Sequence, residues 1–161
     1  MVNQSYRLVE ENVALVRIIL KPRQQLEDSV KDIIIKGRHL IIDDEIKYAR
    51  NFSLELQKYG ADPRRIYIPS SRQEAERIAI NEDIALVTVD NSMGSSYDSI
   101  GGGGLGVVIN VKTARKDLPM VMITSLKPEV DILDTFDVPY VLKKERSLYL
   151  PAALNYALRK K

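Results

Sequence analysis

Ile84-Ala85-Leu86-Val87-Thr88-Val89 is an almost unbroken apolar run that stops abruptly at Asp90-Asn91. Strands buried on both faces read as continuous apolar stretches, because neither face meets water. The β-branched residues in the run favour a strand over a buried helix. The same design recurs on either side. His39-Leu40-Ile41-Ile42 ends in Asp43-Asp44, Met120-Val121-Met122-Ile123 ends in Thr124-Ser125, and Tyr140-Val141-Leu142 ends at Lys143. A shorter strand, Arg65-Ile66-Tyr67-Ile68, is closed by Pro69.

Between these runs the apolar residues switch to helical spacing. Ile46, Ala49, Phe52, Leu54, Leu56 and Tyr59 form one such set, with Gly60 as a stop. Ser71 with Glu74 has capping-box spacing ahead of Ala75, Ile78 and Ala79. Val107, Val108, Val111 and Ala114 suggest a third helix. Pro128 opens a fourth with Val130, Leu133 and Phe136, and Leu148, Ala152, Leu154, Tyr156 and Leu158 mark a last one. Five strands alternating with helices imply right-handed crossovers and a parallel sheet covered on both faces, a doubly wound α/β fold. Ligands of such sheets bind beyond the carboxyl ends of the strands. Asp43, Asp44, Asp90, Thr124 and Lys143 all stand there.

The 161 residues suit one domain with a short extension. With 24 basic and 22 acidic residues the net charge is only +2, which argues against a general binder of nucleic acid or of membrane surfaces. There is no cysteine and one histidine, His39, so thiolate and multi-histidine metal sites are excluded. A metal here must be a hard ion on oxygen ligands. No apolar stretch approaches 18 residues and no leader pattern opens the chain, so a cytoplasmic protein is expected.

Residues 1–37 stand apart from the domain expected over 38–161. Val9, Val13, Val16 and Leu20 form one helical stripe; Leu26, Val30 and Ile33 form another after Pro22. A domain that already covers its sheet leaves these stripes to another surface, so self-association or partner binding through residues 1–37 is expected, with packing of both helices back onto the domain itself as the competing outcome.

The strand ends resemble the receiver domains of two-component response regulators, over roughly residues 38–161. The motifs are Ile41-Ile42-Asp43-Asp44-Glu45, Val87-Thr88-Val89-Asp90-Asn91-Ser92-Met93, Met122-Ile123-Thr124-Ser125 and Tyr140-Val141-Leu142-Lys143. The resemblance implies a flavodoxin-like sheet in the order 2-1-3-4-5. It implies that Asp90 accepts a phosphoryl group from a histidine kinase or phosphotransfer protein. Asp44, Asp90 and the Ser92 carbonyl would bind Mg2+, with Asp43 supporting the ion through water. Thr124 would bond the phosphoryl oxygen, Lys143 would pair with it, and Tyr140 would move inward as Thr124 shifts. Output would pass to a downstream protein partner, with no DNA-binding or enzymatic output domain. The chain departs from the family pattern at Gly94 and Lys144, where proline is usual, and in the long loop running into Gly101-Gly102-Gly103-Gly104.

Other readings use the same residues. A pseudo-receiver that is never phosphorylated would act as a constitutive interaction module. A phosphatase of the haloacid-dehalogenase type needs an acid two positions after its nucleophile, where this chain has Ser92. Gly101, Gly103 and Gly106 spell G-x-G-x-x-G, but the dinucleotide fingerprint follows its strand directly and this one does not. Gly101–Gly104 therefore reads as a mobile loop.

Overall fold

Each of the four long apolar runs forms a strand, and each is buried along its whole length or nearly so. The computed structural model describes residues 24–91, 103–125 and 128–159. The first stripe of the extension, Val9 to Leu20, lies outside them, as do Ser92, Gly94, Gly101 and Gly102. The described chain runs α1 (Asp28–Lys36), β1 (His39–Ile42), α2 (Ile46–Lys58), β2 (Ile66–Tyr67), α3 (Arg72–Asn81), β3 (Leu86–Val89), α4 (Gly103–Ala114), β4 (Met120–Thr124), α5 (Val130–Phe136), β5 (Tyr140–Leu142) and α6 (Arg146–Arg159). A 3-10 turn, Lys143–Glu145, joins β5 to α6. The five strands are parallel and lie in the order β2-β1-β3-β4-β5, the expected doubly wound sheet.

Side chains alternate between two cores. Leu40, Ile42, Val87, Val89, Met120 and Met122 face α3, α4 and α5, meeting Ala75, Ile78, Val107, Val111 and Leu133. Ile41, Leu86, Val121, Ile123 and Val141 face the opposite layer, built by α1, α2 and α6. Burial on both faces is why the strand sequences do not alternate.

The second apolar stripe of the extension is used inside the chain. Leu26, Val30 and Ile34 are buried and Ile33 packs beside them, in the core that holds Leu150, Leu154 and Leu158 of α6. Burying each of the three is worth about 1.5–3 kcal/mol. The expectation that this stripe meets another molecule is therefore corrected: the layer of α2 and α6 had room for a third helix. The Asn155 amide latches the entry to α1. It accepts from the Glu27 backbone N–H (3.0 Å) and donates to the Gln25 carbonyl (2.8 Å). Arg159 pairs with Glu27 beside it.

His39 closes the other end of α1. Its buried ring donates from Nε2 to the Ile34 carbonyl (2.8 Å), one of the carbonyls a helix C-terminus leaves open, while its buried Nδ1 has no partner among the described residues. Burial holds the imidazole below its ordinary value of 6.5, against the opposing pull of the Ile34 carbonyl. A base with a lowered folded pKa contributes stability that is present above its unfolded value and lost as pH falls through the folded one. His39→Gln keeps a donor for Ile34 without a titrating ring. Urea midpoints measured on either side of pH about 6.5 should fall less on acidification in the variant than in the wild type.

Candidate phosphoacceptor site

The parallel register brings the acidic strand ends level. Ile42 lies opposite Val89, and the Asp90 N–H extends the ladder by one bond to the Ile42 carbonyl (2.9 Å). Asp43 and Asp90 thus leave the sheet side by side. The chain passes from β1 out to β2 and then back to β3, so this is the point where strand order reverses, where doubly wound sheets open a crevice. Thr124 ends β4, and Lys143 follows Leu142, its partner across β5.

The side chains converge. Carboxylate oxygens of Asp43, Asp44 and Asp90 lie within 4.8 Å of one another. Asp43 and Asp90 are 8% and 3% exposed, so their charges are shielded little by solvent. The Lys143 ammonium stands 3.2 Å from Asp43 Oδ2 and 3.4 Å from Asp90 Oδ2. Asp43 Oδ1 accepts from the Glu45 N–H (2.9 Å). Burial raises the Asp43 carboxyl above its ordinary range and Asp90 adds to the rise, although Glu45 and Lys143 pull the other way. Burial alone would lower Lys143, but the charges of Asp90 and Asp43 outweigh it and hold the ammonium raised. Three carboxylates against one ammonium leave the cluster negative.

Thr124 is fully buried and its hydroxyl has no hydrogen-bond partner among the described residues. Tyr140 already lies inward at 4% exposure, and burial pushes its phenol up to about 12, with Glu145 adding to the rise. The Ser92 carbonyl lies outside the described residues.

The residues fit a divalent cation of the hard type. Mg2+ takes oxygen ligands, keeps several waters, and needs few protein carboxylates. Asp43, Asp44 and Asp90 supply such oxygens, and an ion there would offset the burial that raises Asp43 and the repulsion from Asp90 that adds to it. Asp44→Ala should weaken Mg2+ binding at least about tenfold, because few carboxylates are on hand to replace it. Calorimetric titration of the two proteins checks this; equal affinities would put the ion elsewhere.

Several members of the site were not picked out from the sequence. Tyr48 and Phe52 of α2, Thr88 of β3 and Arg146 of α6 join Asp43, Asp90 and Lys143 around a cavity of about 20 Å³, room for one water. The Lys143 ammonium lies 4.2 Å from the centre of the Tyr48 ring. Arg146 pairs with Glu55 at 2.6 Å and lies 5.9 Å over Phe52. Gly103 and Gly104 correct the expectation of a mobile loop. They form the first turn of α4, buried against the end of β3, with the Gly104 N–H at 3.4 Å from the Asn91 carbonyl.

No protein-family model matches the chain, and no curated protein matches its sequence. Solved structures match its fold. The response regulator TrrA from Thermotoga maritima, in complex with Mg2+ and BeF, is 25% identical, with a TM-score of 0.55 over 66% of this chain and 86% of that one. The fold is that of a response-regulator receiver domain. A response regulator from Burkholderia pseudomallei with a phosphorylated aspartic acid is 19% identical, with a TM-score of 0.60 over 78% of this chain and 71% of that one. The receiver domain of the histidine kinase CKI1 from Arabidopsis thaliana, with Mg2+ and BeF3-, is 14% identical, with a TM-score of 0.62 over 85% and 99%. On this receiver fold, α1 is the element whose burial against α6 the sequence did not disclose. Among the described residues no helix is long and apolar enough to cross a membrane.

Proposed function

We propose that this receiver-fold chain is a phosphorylation-controlled signalling domain with Asp90 as acceptor. The observation that carries the reading is the Lys143 ammonium held against Asp43 and Asp90, at the sheet's reversal point, beside a third carboxylate. An Asp90 carboxylate oxygen attacks the phosphorus of a phosphohistidine on a kinase or phosphotransfer protein. A P–O bond forms, the P–N bond breaks, and its electron pair leaves with the imidazole. Water later attacks the phosphorus and cleaves that P–O bond, returning the carboxylate and inorganic phosphate. Asp44 and Asp90, with the Ser92 carbonyl, would hold Mg2+, which would supply charge neutralisation to the transferring group.

The chain's own residues do the rest. Lys143 faces the developing charge from its place between the two carboxylates. The Thr124 hydroxyl, without a partner among the described residues, is a donor ready for a phosphoryl oxygen, and Tyr140 packs inward where a Thr124 shift would be felt. The role is that of a switch rather than an enzyme of turnover. The signal passes by protein contacts in the cytoplasm, without nucleic acid. Self-association through residues 1–37 now rests on the first stripe alone, since the second is occupied.

The test is incubation with acetyl phosphate and Mg2+, followed by intact mass. One labile phosphoryl adduct is expected. An unmodified chain under conditions where Mg2+ binds would favour the constitutive interaction module instead.

A further inference from the structure

We infer that Tyr48 is a positioning residue for Lys143, its ring face holding the ammonium at the acceptor carboxylates. This rests on the acceptor reading and adds to it a residue that lies outside the strand-end motifs. The Lys143 side chain is 12% exposed, yet a four-carbon stem leaves an ammonium many places to go. Asp43 and Asp90 attract it but do not fix it, since both sit on one cluster that a divalent cation would also claim. The Tyr48 ring, 4.2 Å from Nζ, supplies an attraction that no metal ion competes for. It stays available when the carboxylates are engaged.

The neighbouring cation shows what the ring accomplishes. Arg146 lines the same cavity three residues later, and α2 holds it separately, by Glu55 at 2.6 Å and the Phe52 ring at 5.9 Å. Tyr48, Phe52 and Glu55 recur at helical spacing and so share one face of α2. That face assigns each cation its own place: Lys143 to Tyr48 and the carboxylates, Arg146 to Phe52 and Glu55. Without the Tyr48 ring, Lys143 would be free to lean toward solvent.

The test compares the full chain with Tyr48→Leu and Tyr48→Phe. Tyr48 is 38% exposed, so both variants should fold, which thermal melts verify. The first readout is the Lys143 Hε proton shifts, which a ring face moves upfield; they should return toward random-coil values in Tyr48→Leu and stay put in Tyr48→Phe. The second is the initial rate of adduct formation with acetyl phosphate and Mg2+, which Tyr48→Leu should slow by roughly three- to tenfold, the worth of one such contact, with Tyr48→Phe near wild type. Wild-type shifts in Tyr48→Leu would overturn the inference. So would Tyr48→Phe being as slow as Tyr48→Leu, which would assign the effect to the hydroxyl. A wild type that takes no phosphoryl group would defeat the acceptor reading, while the proton shifts would still decide whether Tyr48 holds Lys143.

Discussion

Asp90→Asn should form no phosphoryl adduct and should melt no lower than the wild type in Mg2+-free buffer. The first half follows from the nucleophile: an amide has no anionic oxygen to attack phosphorus. The second follows from the charge around it. Asp90 is 3% exposed and adds to the rise of the Asp43 carboxyl, so its charge is borne at a cost. Asparagine keeps the shape and removes the charge. Lys143 keeps Asp43 at 3.2 Å, so no ammonium is left buried alone. A gain of roughly 1 kcal/mol would raise the melting temperature by about 2–4 °C in a chain of this size. Adding Mg2+ should narrow the gap, because the wild type binds the ion more tightly and is stabilised by it. Melting curves with and without Mg2+, beside intact mass, check both halves. A variant that melts several degrees lower would show that Asp90 is a strut rather than a strained charge.

Gly104→Ala should be the most damaging single methyl in the described chain near the site. A Cβ there would lie 2.3 Å from the Asp90 carbonyl oxygen, 2.6 Å from Asn91 Cα and 2.9 Å from the Asp90 carbonyl carbon. All three are backbone atoms, so no side chain can turn aside. Either α4 retreats or the end of β3 moves. Overpacking of this kind costs about 1–3 kcal/mol or more. A displacement of the acceptor by about 1 Å can slow transfer about a hundredfold. Urea unfolding and the initial rate of adduct formation measure the two effects; a variant within twofold of wild type in rate would show that the helix start can slide.

The same pair of residues shows where sequence reading stops. Consecutive glycines are the least favourable way to begin a helix on propensity, so Gly103 and Gly104 read as loop. What overrode propensity was a tertiary demand: only a backbone without Cβ can lie that close to Asp90 and Asn91. The strands were legible because burial on both faces writes an unbroken apolar run, and the site because each run ends on a polar residue at one edge. The run Arg65–Ile68 extends one residue past the short β2 at each end, and the two strand residues are only half-buried. The stripe of α1 was visible, but an apolar stripe does not name the surface it covers. Tyr48 and Lys143, 95 positions apart, carry no signal that they meet; a half-exposed tyrosine on an amphipathic helix looks like any other.

The Asn155 latch and the Glu27–Arg159 pair have a mechanical meaning as well. They tie Gln25 and Glu27, ahead of α1, to the last turns of α6. A pull on the chain ahead of α1 would meet these contacts before it met the sheet. Along that route β1, with Asp43 at its end, lies behind α1 and the turn at Gly37, as a knot lies behind the slack in a rope.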